Sequence, residues 1–320
     1  MTARVLASTV GMDRAEWLAT RRRGIGASDA AAVCGVDPWK GPLRIWAEKI
    51  GLLGDGDETP SESAFWGKTL GPVIAAEFTA RTGIKVRRRN AILQSDSYPW
   101  MLANLDRETI GDGENIPVEI KAHSAWRRHE WADDQCPIPV IVQVHHQMLT
   151  MSTTAAWVVG LLGGQELAIR RVERDPEIVG MVVDAETEFW AHVQAGTMPP
   201  AVHETDADLI EELHPYGDDV EVGLDGEGAA AVAAYRDAHE AEKAAEADKA
   251  MARARVCRAL GGAHVGLVNG RKAISWKPVT SSRLDLDRAR LAYPELAAFE
   301  IATTSRRLTL PHRKAQTDGD

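Results

Sequence analysis

The run Met101-Leu102-Ala103-Asn104-Leu105-Asp106, followed across the turn-rich Gly111-Asp112-Gly113-Glu114-Asn115 by Pro117-Val118-Glu119-Ile120-Lys121-Ala122, decides how this chain is read. Each half is a short, largely apolar run bounded by turn residues, the pattern of a strand, and the Gly/Asp/Asn cluster predicts that the two pair through a turn. Side chains alternate along a strand, so Glu119 and Lys121 share a face, and the pairing brings Asp106 alongside them. Hard oxygen donors of this kind suit Mg²⁺ or Mn²⁺, which orients a water and offsets charge developing on a phosphodiester. The lysine ammonium can polarise that water or stabilise the transition state. Taken alone, a Glu-x-Lys on a strand is more often a solvent-facing ion pair, so the surroundings have to decide.

Downstream, Val140 to Met151 reads as a helix on which Gln143, His146 and Gln147 share one face at i, i+3 and i+4. A polar stripe on an otherwise apolar helix is either its wet side or the wall of a site. Ala156 to Leu162 and Glu166 to Glu173 form a hairpin across Gly163-Gly164, and Pro176 to Ala195 is an amphipathic helix. Upstream, Lys85 to Gln94 reads as a strand, Ser63 to Thr82 as a long helix with Pro72 inside it, and Gly54 to Glu62 as a polar loop. Helices are expected at Asp13 to Arg22, at Ser28 to Gly35 with Ser28 as its N-cap, and near Leu43 to Ile50. The string Arg21-Arg22-Arg23-Gly24-Ile25-Gly26-Ala27-Ser28 joins three guanidinium groups to a glycine-rich turn and a helix start, a combination able to bind a phosphate. It lacks the lysine spacing of a nucleotide-binding P-loop. The order helix, three strands, helix, two strands, helix predicts an α/β (α+β) fold.

The 320 residues hold 37 basic and 47 acidic side chains, a net charge of -10 that at first argues against a nucleic-acid partner. Divided along the chain the count changes meaning: residues 1–132 are near neutral at +1, 133–200 carry -6, 201–248 carry -13 and 249–317 carry +10. Pro199-Pro200 marks the expected boundary between a core, 1–200, and a C-terminal extension, 201–320, acidic then basic. In that extension Gly226 to Leu260 reads as a long helix or helical hairpin, Ala263 to Lys277 as strand-rich, Asp285 to Ala292 as a helix and Arg306 to Leu310 as a strand. Three scattered cysteines, Cys34, Cys136 and Cys257, exclude a disulfide framework and a four-cysteine cluster. The longest apolar runs, near ten residues, fall short of the roughly 20 that a membrane span needs. The expectation is a reduced, cytoplasmic protein without membrane contact.

The motifs Arg23-Gly24-Ile25-Gly26-Ala27-Ser28-Asp29, Gly35-Val36-Asp37-Pro38-Trp39, Phe65-Trp66-Gly67-Lys68, Ala103-Asn104-Leu105-Asp106, Val118-Glu119-Ile120-Lys121 and Gln143-Val144-His145-His146-Gln147-Met148, in this order, resemble the YqaJ-type viral recombinase nucleases. Those are relatives of the phage lambda exonuclease in the PD-(D/E)xK superfamily. The resemblance covers residues 13–200 and implies a restriction-endonuclease-like core, a central mixed sheet flanked by helices, with a helical C-terminal extension. It implies a Mg²⁺ site (Mn²⁺ as substitute) with Asp106, Glu119 and the carbonyl of Ile120 as ligands, Lys121 as catalytic lysine and Gln143 facing the site. It also implies that Arg21 and Ser28, with Asn104 and Arg127 at looser matches, hold a 5′-terminal phosphate. The activity implied is degradation of linear duplex DNA from 5′ to 3′ during phage recombination, exposing a 3′ strand for a single-strand annealing partner, by a homo-oligomer that in relatives is a trimer. Two departures stand out. Gly71 in Gly67-Lys68-Thr69-Leu70-Gly71-Pro72 replaces a metal-holding glutamate, with Glu77 poorly placed to substitute and Glu48 a candidate, and Arg107 replaces a glycine. The alternative is therefore a catalytically impaired DNA-binding or recombination scaffold on the same fold.

Overall fold

The computed structural model describes residues 3–53, 61–111, 113–217, 220–299, 301 and 306–311, and divides into two compact units, residues 1–213 and 214–320. In the first unit the elements run β1 (Arg4–Ser8), α1 (Arg14–Arg21), β2 (Ile25–Gly26), α2 (Ala27–Val33), α3 (Pro42–Lys49), α4 (Glu62–Thr82), β3 (Lys85–Arg87), β4 (Ala91–Gln94), β5 (Met101–Ala103), β6 (Arg107–Ile110) and β7 (Pro117–His123). A 3-10 segment, Ala125–Asp134, leads to α5 (Ile138–Met151), β8 (Ala155–Leu162), β9 (Glu166–Glu173), α6 (Pro176–Ala195) and α7 (Asp206–Leu213). The second unit holds α8 (Gly226–Leu260), β10 (Val265–Val268), β11 (Arg271–Ser275), α9 (Leu286–Ala292) and the 3-10 segment Pro294–Phe299. Among the described residues no helix is long and apolar enough to cross a membrane. The loop expected over 54–62 lies outside the described residues up to position 60, and Glu62 already opens α4.

The expected mixed sheet flanked by helices is present as β3-β6-β7-β8-β9, antiparallel except for the parallel pair β7/β8. The run Ala155-Ala-Trp-Val-Val-Gly-Leu-Leu162 of β8 is apolar throughout because both faces are covered. Val158 and Ala156 pack with Val144 and Met148 of α5, while Val159 and Val118 pack with Ile74 and Phe78 of α4. A second sheet, β1-β4-β5-β2, packs on the other flank of α5, with Met101 against Val142 and Leu149. Helix α5 is therefore shared by both sheets, and polar groups along it stand where the sheets meet.

Four expectations are corrected. The strand expected over Lys85 to Gln94 is two: β3 pairs with β6, and β4 pairs with β1 and β5, so the chain changes sheet at Arg88-Arg89-Asn90. Met101–Ala103 does not pair with β7; β6 does, through Arg107↔Val118 and Glu108↔Pro117. Asp106 thus sits where the chain passes from one sheet to the other. The compact unit also runs past Pro199-Pro200 to Leu213, because Leu209 packs with Leu43, Trp46 and Phe189 while buried Asp206 accepts from the Val202 and His203 amides at 2.9 Å. Finally, Arg306–Leu310 is irregular, not a strand.

Candidate active site

Beyond Val118 strand β7 loses its β6 neighbour, so its open edge must find other partners. The amide of Ile120 donates to Asp106 Oδ2 at 2.9 Å. In an extended strand the N–H and C=O of one residue point the same way, so the Ile120 carbonyl faces the same edge. Glu119 is buried, and each of its oxygens is held: Oε1 accepts from Gln143 Nε2 at 2.8 Å and lies 2.9 Å from Lys121 Nζ, while Oε2 accepts from Gln147 Nε2 at 2.7 Å. Lys121 Nζ also donates to Gln143 Oε1 at 2.7 Å, which closes a ring of three side chains. Asp106, Glu119, Ile120, Lys121 and Gln143 are thus brought together, with Gln147 added.

Charge in this cluster is unevenly shared. Burial, then the adjacent Glu119, pushes the Asp106 carboxyl up to about 7, although the Ile120 amide and Lys121 pull the other way. For Lys121 burial opposes the charge, but Glu119 and Asp106 outweigh it, so its pKa lies above the ordinary lysine value and the side chain is an ammonium at neutral pH. Burial, Arg127 and Lys121 together depress His123 to about 4; it is neutral, and its Nδ1 accepts from Trp131 Nε1 at 3.2 Å. Two crowded carboxylates, one reluctant to ionise, with a peptide carbonyl beside them, are a hard-oxygen donor set that fits Mg²⁺ or Mn²⁺. Among the described residues no third His, Cys, Asp or Glu completes a cluster. Glu48 lies 3.7 Å from Arg44 and Glu77 pairs with Arg81 at 2.7 Å, each within its own helix, and a side chain at Gly71 would meet open space. Arg107 bonds back to the Asp106 carbonyl at 2.5 Å and caps the turn.

The arginine-glycine stretch is built differently from the expectation. Ser28 is not the cap of α2; Gly26 is, and Ser28 Oγ accepts from Arg21 Nη2 at 3.0 Å. A Cβ at Gly26 would stand 2.9 Å from Arg21 Nη2, so a larger residue there would push the guanidinium from its place beside Asp29. Arg21 is fixed by buried Asp29 at 2.7 Å, and Asp29 is shared with Lys49 Nζ at 2.8 Å, itself bonded to the Arg21 carbonyl at 3.1 Å. Burial of Asp29 favours its protonated form, but Arg21, Lys49 and Lys40 outweigh it and hold the carboxyl well below the usual range. With three cations around one carboxylate, the cluster has positive charge in excess. It borders a cavity of about 50 Å³ walled by Arg21, Ser28, Asn104 and Gln143. A neighbouring cavity of about 180 Å³ is lined by Ser28, Lys121, His123, Arg127 and Gln143. Arg127 is engaged by Glu130 through two contacts of 2.7 Å. Ser28 and Gln143 line both cavities, which joins Arg21 and Asn104 on one side to Lys121 and Arg127 on the other, while Asp106 and Glu119 reach this wall through Lys121 and Gln143.

His146 does not face this wall. It is fully buried, with Nδ1 2.6 Å from Glu186 Oε1 of α6 and Nε2 2.9 Å from the Leu102 carbonyl. Of the polar stripe on α5, then, Gln143 and Gln147 serve the site and His146 serves helix packing.

Over residues 16–156 the chain matches the family model described as the YqaJ-like viral recombinase domain. It is 32% identical over 299 residues to the uncharacterized protein YqaJ of Bacillus subtilis (strain 168), covering 92% of each chain. The chain belongs to the YqaJ family. The match is longer than the first unit, so the YqaJ relative shares the second unit as well. Among solved structures, the YqaJ-family chain is similar to an alkaline exonuclease (LHK-Exo) from Laribacter hongkongensis, at 21% identity and a TM-score of 0.49 over 57% of this chain and 93% of that one. It is also similar to a phage related exonuclease from Haemophilus somnus 129PT, at 11% identity and a TM-score of 0.41 over 54% of this chain and 96% of that one.

Reasoning from sequence left out Asp29 and Lys49, which hold Arg21, and the role of Gln147. The signal for Gln147 was its i+4 spacing from Gln143; nothing local in sequence connects Lys49 to Arg21, 28 positions away.

Proposed function

We propose that this YqaJ-family protein is a metal-dependent DNA exonuclease of phage recombination, degrading linear duplex DNA from 5′ to 3′ and leaving a 3′ strand for a single-strand annealing protein. The observation that carries the reading is the Asp106–Glu119–Lys121–Gln143 cluster at the open edge of β7, next to an arginine-lined cavity, in a chain of the viral recombinase family. Asp106, Glu119 and the Ile120 carbonyl would hold Mg²⁺ or Mn²⁺. When bound, such an ion lowers the pKa of water and neutralises phosphodiester charge. Lys121 carries its proton at neutral pH, so it donates a hydrogen bond to a developing oxyanion rather than acting as a base. Gln143 aims the ammonium through Oε1 and anchors Glu119 through Nε2. Arg21 and Ser28, with Asn104, bind a terminal phosphate, and Arg127 follows the strand on the Lys121 side. By analogy with the family the working form is a homo-oligomer, a ring-shaped trimer around DNA.

A second reading, duplex binding with impaired cleavage, is favoured by one observation: Gly71 stands where the family holds a glutamate, and no third carboxylate joins the cluster among the described residues. Digestion of end-labelled linear duplex, with 5′-phosphate or 5′-hydroxyl ends, in the presence and absence of Mg²⁺, separates the two. The nuclease reading expects Mg²⁺-dependent release from the 5′ end, abolished by Glu119→Ala. Cleavage unchanged in that variant would show the site to be wrong, and binding without cleavage would establish the second reading. Arg21→Ala should lower activity on 5′-phosphate ends far more than on 5′-hydroxyl ends; equal loss on both removes the phosphate assignment.

A further inference from the structure

The second unit contains a surface that the catalytic reading does not use. Strands β10 and β11 form a two-stranded hairpin across Asn269-Gly270, both in the left-handed region at φ 52° and 74°, as a tight turn of this kind requires. An isolated pair of strands buries too little to be stable unless something covers it. Here Leu260, at the end of α8, reaches over Gly266 and Ile274: a Cβ on Gly266 would lie 3.0 Å from Leu260 and 2.9 Å from Ile274. That contact ties the hairpin to the helix without covering it. Ile274, Trp276, Val268 and Leu267 remain 42%, 48%, 62% and 63% exposed.

Cross-strand pairs identify the residues that share a face. Val268 opposes Arg271 and Gly266 opposes Ile274, and Trp276, two residues past Ile274 and bonded through its amide to the His264 carbonyl, continues that face. Lys272 lies opposite Leu267 on the other face, and Lys277 follows Trp276 directly. From Lys249 to Lys277 there are seven Lys and Arg and no Asp or Glu. The basic end of α8 complements its own helix dipole, but the hairpin cations have no such role. Among the described residues Arg271, Lys272 and Lys277 have no carboxylate partner, and all three are exposed.

A half-exposed indole and aliphatic side chains within an acid-free run of cations call for a polyanion that also offers apolar faces. A duplex presents phosphates but keeps its base faces stacked inside; a single strand presents both. We propose that the β10–β11 hairpin, with the last turns of α8, is a binding site for single-stranded nucleic acid. Bases stack on Trp276 beside Ile274 and Val268, Arg271 on the same face meets the phosphates, and Lys272 and Lys277 on the other face add to the positive field around the strand.

The test uses the full chain and a fluorescein-labelled oligothymidylate without divalent cation, so that binding is read whether or not the first unit hydrolyses DNA. Trp276→Ala should weaken binding about tenfold, in line with the loss of one stacked base, and Trp276→Phe should restore most of it. Arg271→Glu/Lys272→Glu/Lys277→Glu should weaken binding further and shrink the slope of log affinity against log salt by about 2. Neither variant should change single-turnover cleavage of a short duplex, and circular dichroism should show α8 intact. Unchanged affinity for oligothymidylate in both variants overturns the proposal. So does an equal loss on blunt duplex of the same phosphate number, which would mean undirected attraction, or a shift in sedimentation coefficient, which would make this face a contact between copies of the chain.

Discussion

Glu119 has a donor on each carboxylate oxygen, and the two glutamines responsible, Gln143 and Gln147, stand one turn apart on α5. A carboxylate held at both ends cannot rotate away from its neighbours, so Gln147 acts on the site through Glu119 without lining either cavity. Its own Oε1 is buried and without a partner, a cost that removal of the amide would relieve. Gln147→Leu, close in volume, relieves that cost but leaves buried Glu119 Oε2 without its donor, so it is expected to lower the unfolding free energy by about 1–3 kcal/mol. With Asp106 and Glu119 holding Mg²⁺ as proposed, the same substitution should raise the Mg²⁺ concentration for half-maximal cleavage by about 10- to 100-fold, the range for losing an outer partner of a ligand. Parallel urea unfolding and Mg²⁺ titration of the cleavage rate check both halves. A large stability loss with unchanged Mg²⁺ dependence would make Gln147 a packing residue only. The same two-level logic applies to Arg21, which Asp29 and Lys49 hold in place: the sequence marks the arginine, and only the fold marks its supports.

At the scale of elements, α5 is joined to α6 by the buried His146–Glu186 pair. Burial disfavours the imidazolium, but Glu186, the Leu102 carbonyl and, more distantly, Asp29 outweigh it, so the His146 pKa is raised above 6.5. A raised folded-state value means that the pair's contribution is fully present below the unfolded value, near 6.5, and is lost as pH rises through the folded one. The thermal midpoint should accordingly fall as the pH rises above about 6.5, and His146→Gln should flatten that slope. Helix α4 offers a second test at Gly71. Replacing a helix-interior glycine that faces open space by alanine should add up to about 1 kcal/mol of stability. Gly71→Glu should do nearly as well and, if this is where the missing ligand belongs, also lower the Mg²⁺ requirement; identical behaviour of the two variants would place the ligand elsewhere. Elements set by local chemistry were legible in sequence: α6 runs over the expected Pro176–Ala195, and α8 over the expected Gly226–Leu260 as one helix, not a helical hairpin. Elements set by partners were not. Lys85 to Gln94 looks continuous because each half has a strand pattern, and only the positions of β6 on one side and β1 and β5 on the other divide it. Glu119 and Lys121 were readable as neighbours because alternation along a strand is a local rule, whereas Asp106 reaches them by the route of the chain from β5 to β6, not by the hairpin expected from the turn residues.

Over the whole molecule, the buried apolar residues among those described all lie at or before Leu209, so the first unit has its core to itself. The second unit is a helix without buried residues, a hairpin and short turns. This contrast makes the boundary a matter of energy as well as of sequence. Pro199-Pro200 has the composition of a linker, yet the chain beyond it returns: Leu209 is 3% exposed among Leu43, Trp46 and Phe189, with Ile210 and Leu213 packed alongside. Burial of one leucine is worth about 1.5–3 kcal/mol, and the Asp206 turn that holds α7 adds hydrogen bonds to the Val202 and His203 amides. A chain ended after Leu213 should therefore unfold in one cooperative transition at nearly the midpoint of the first unit in the full protein. A chain ended after Pro200 should lose several kcal/mol and expose the apolar groove between α3 and α6, visible as binding of a hydrophobic dye. Differential scanning calorimetry of the two truncations decides the matter: equal midpoints would mean that α7 is an appendage and that the composition break, not the packing, marks the end of the core.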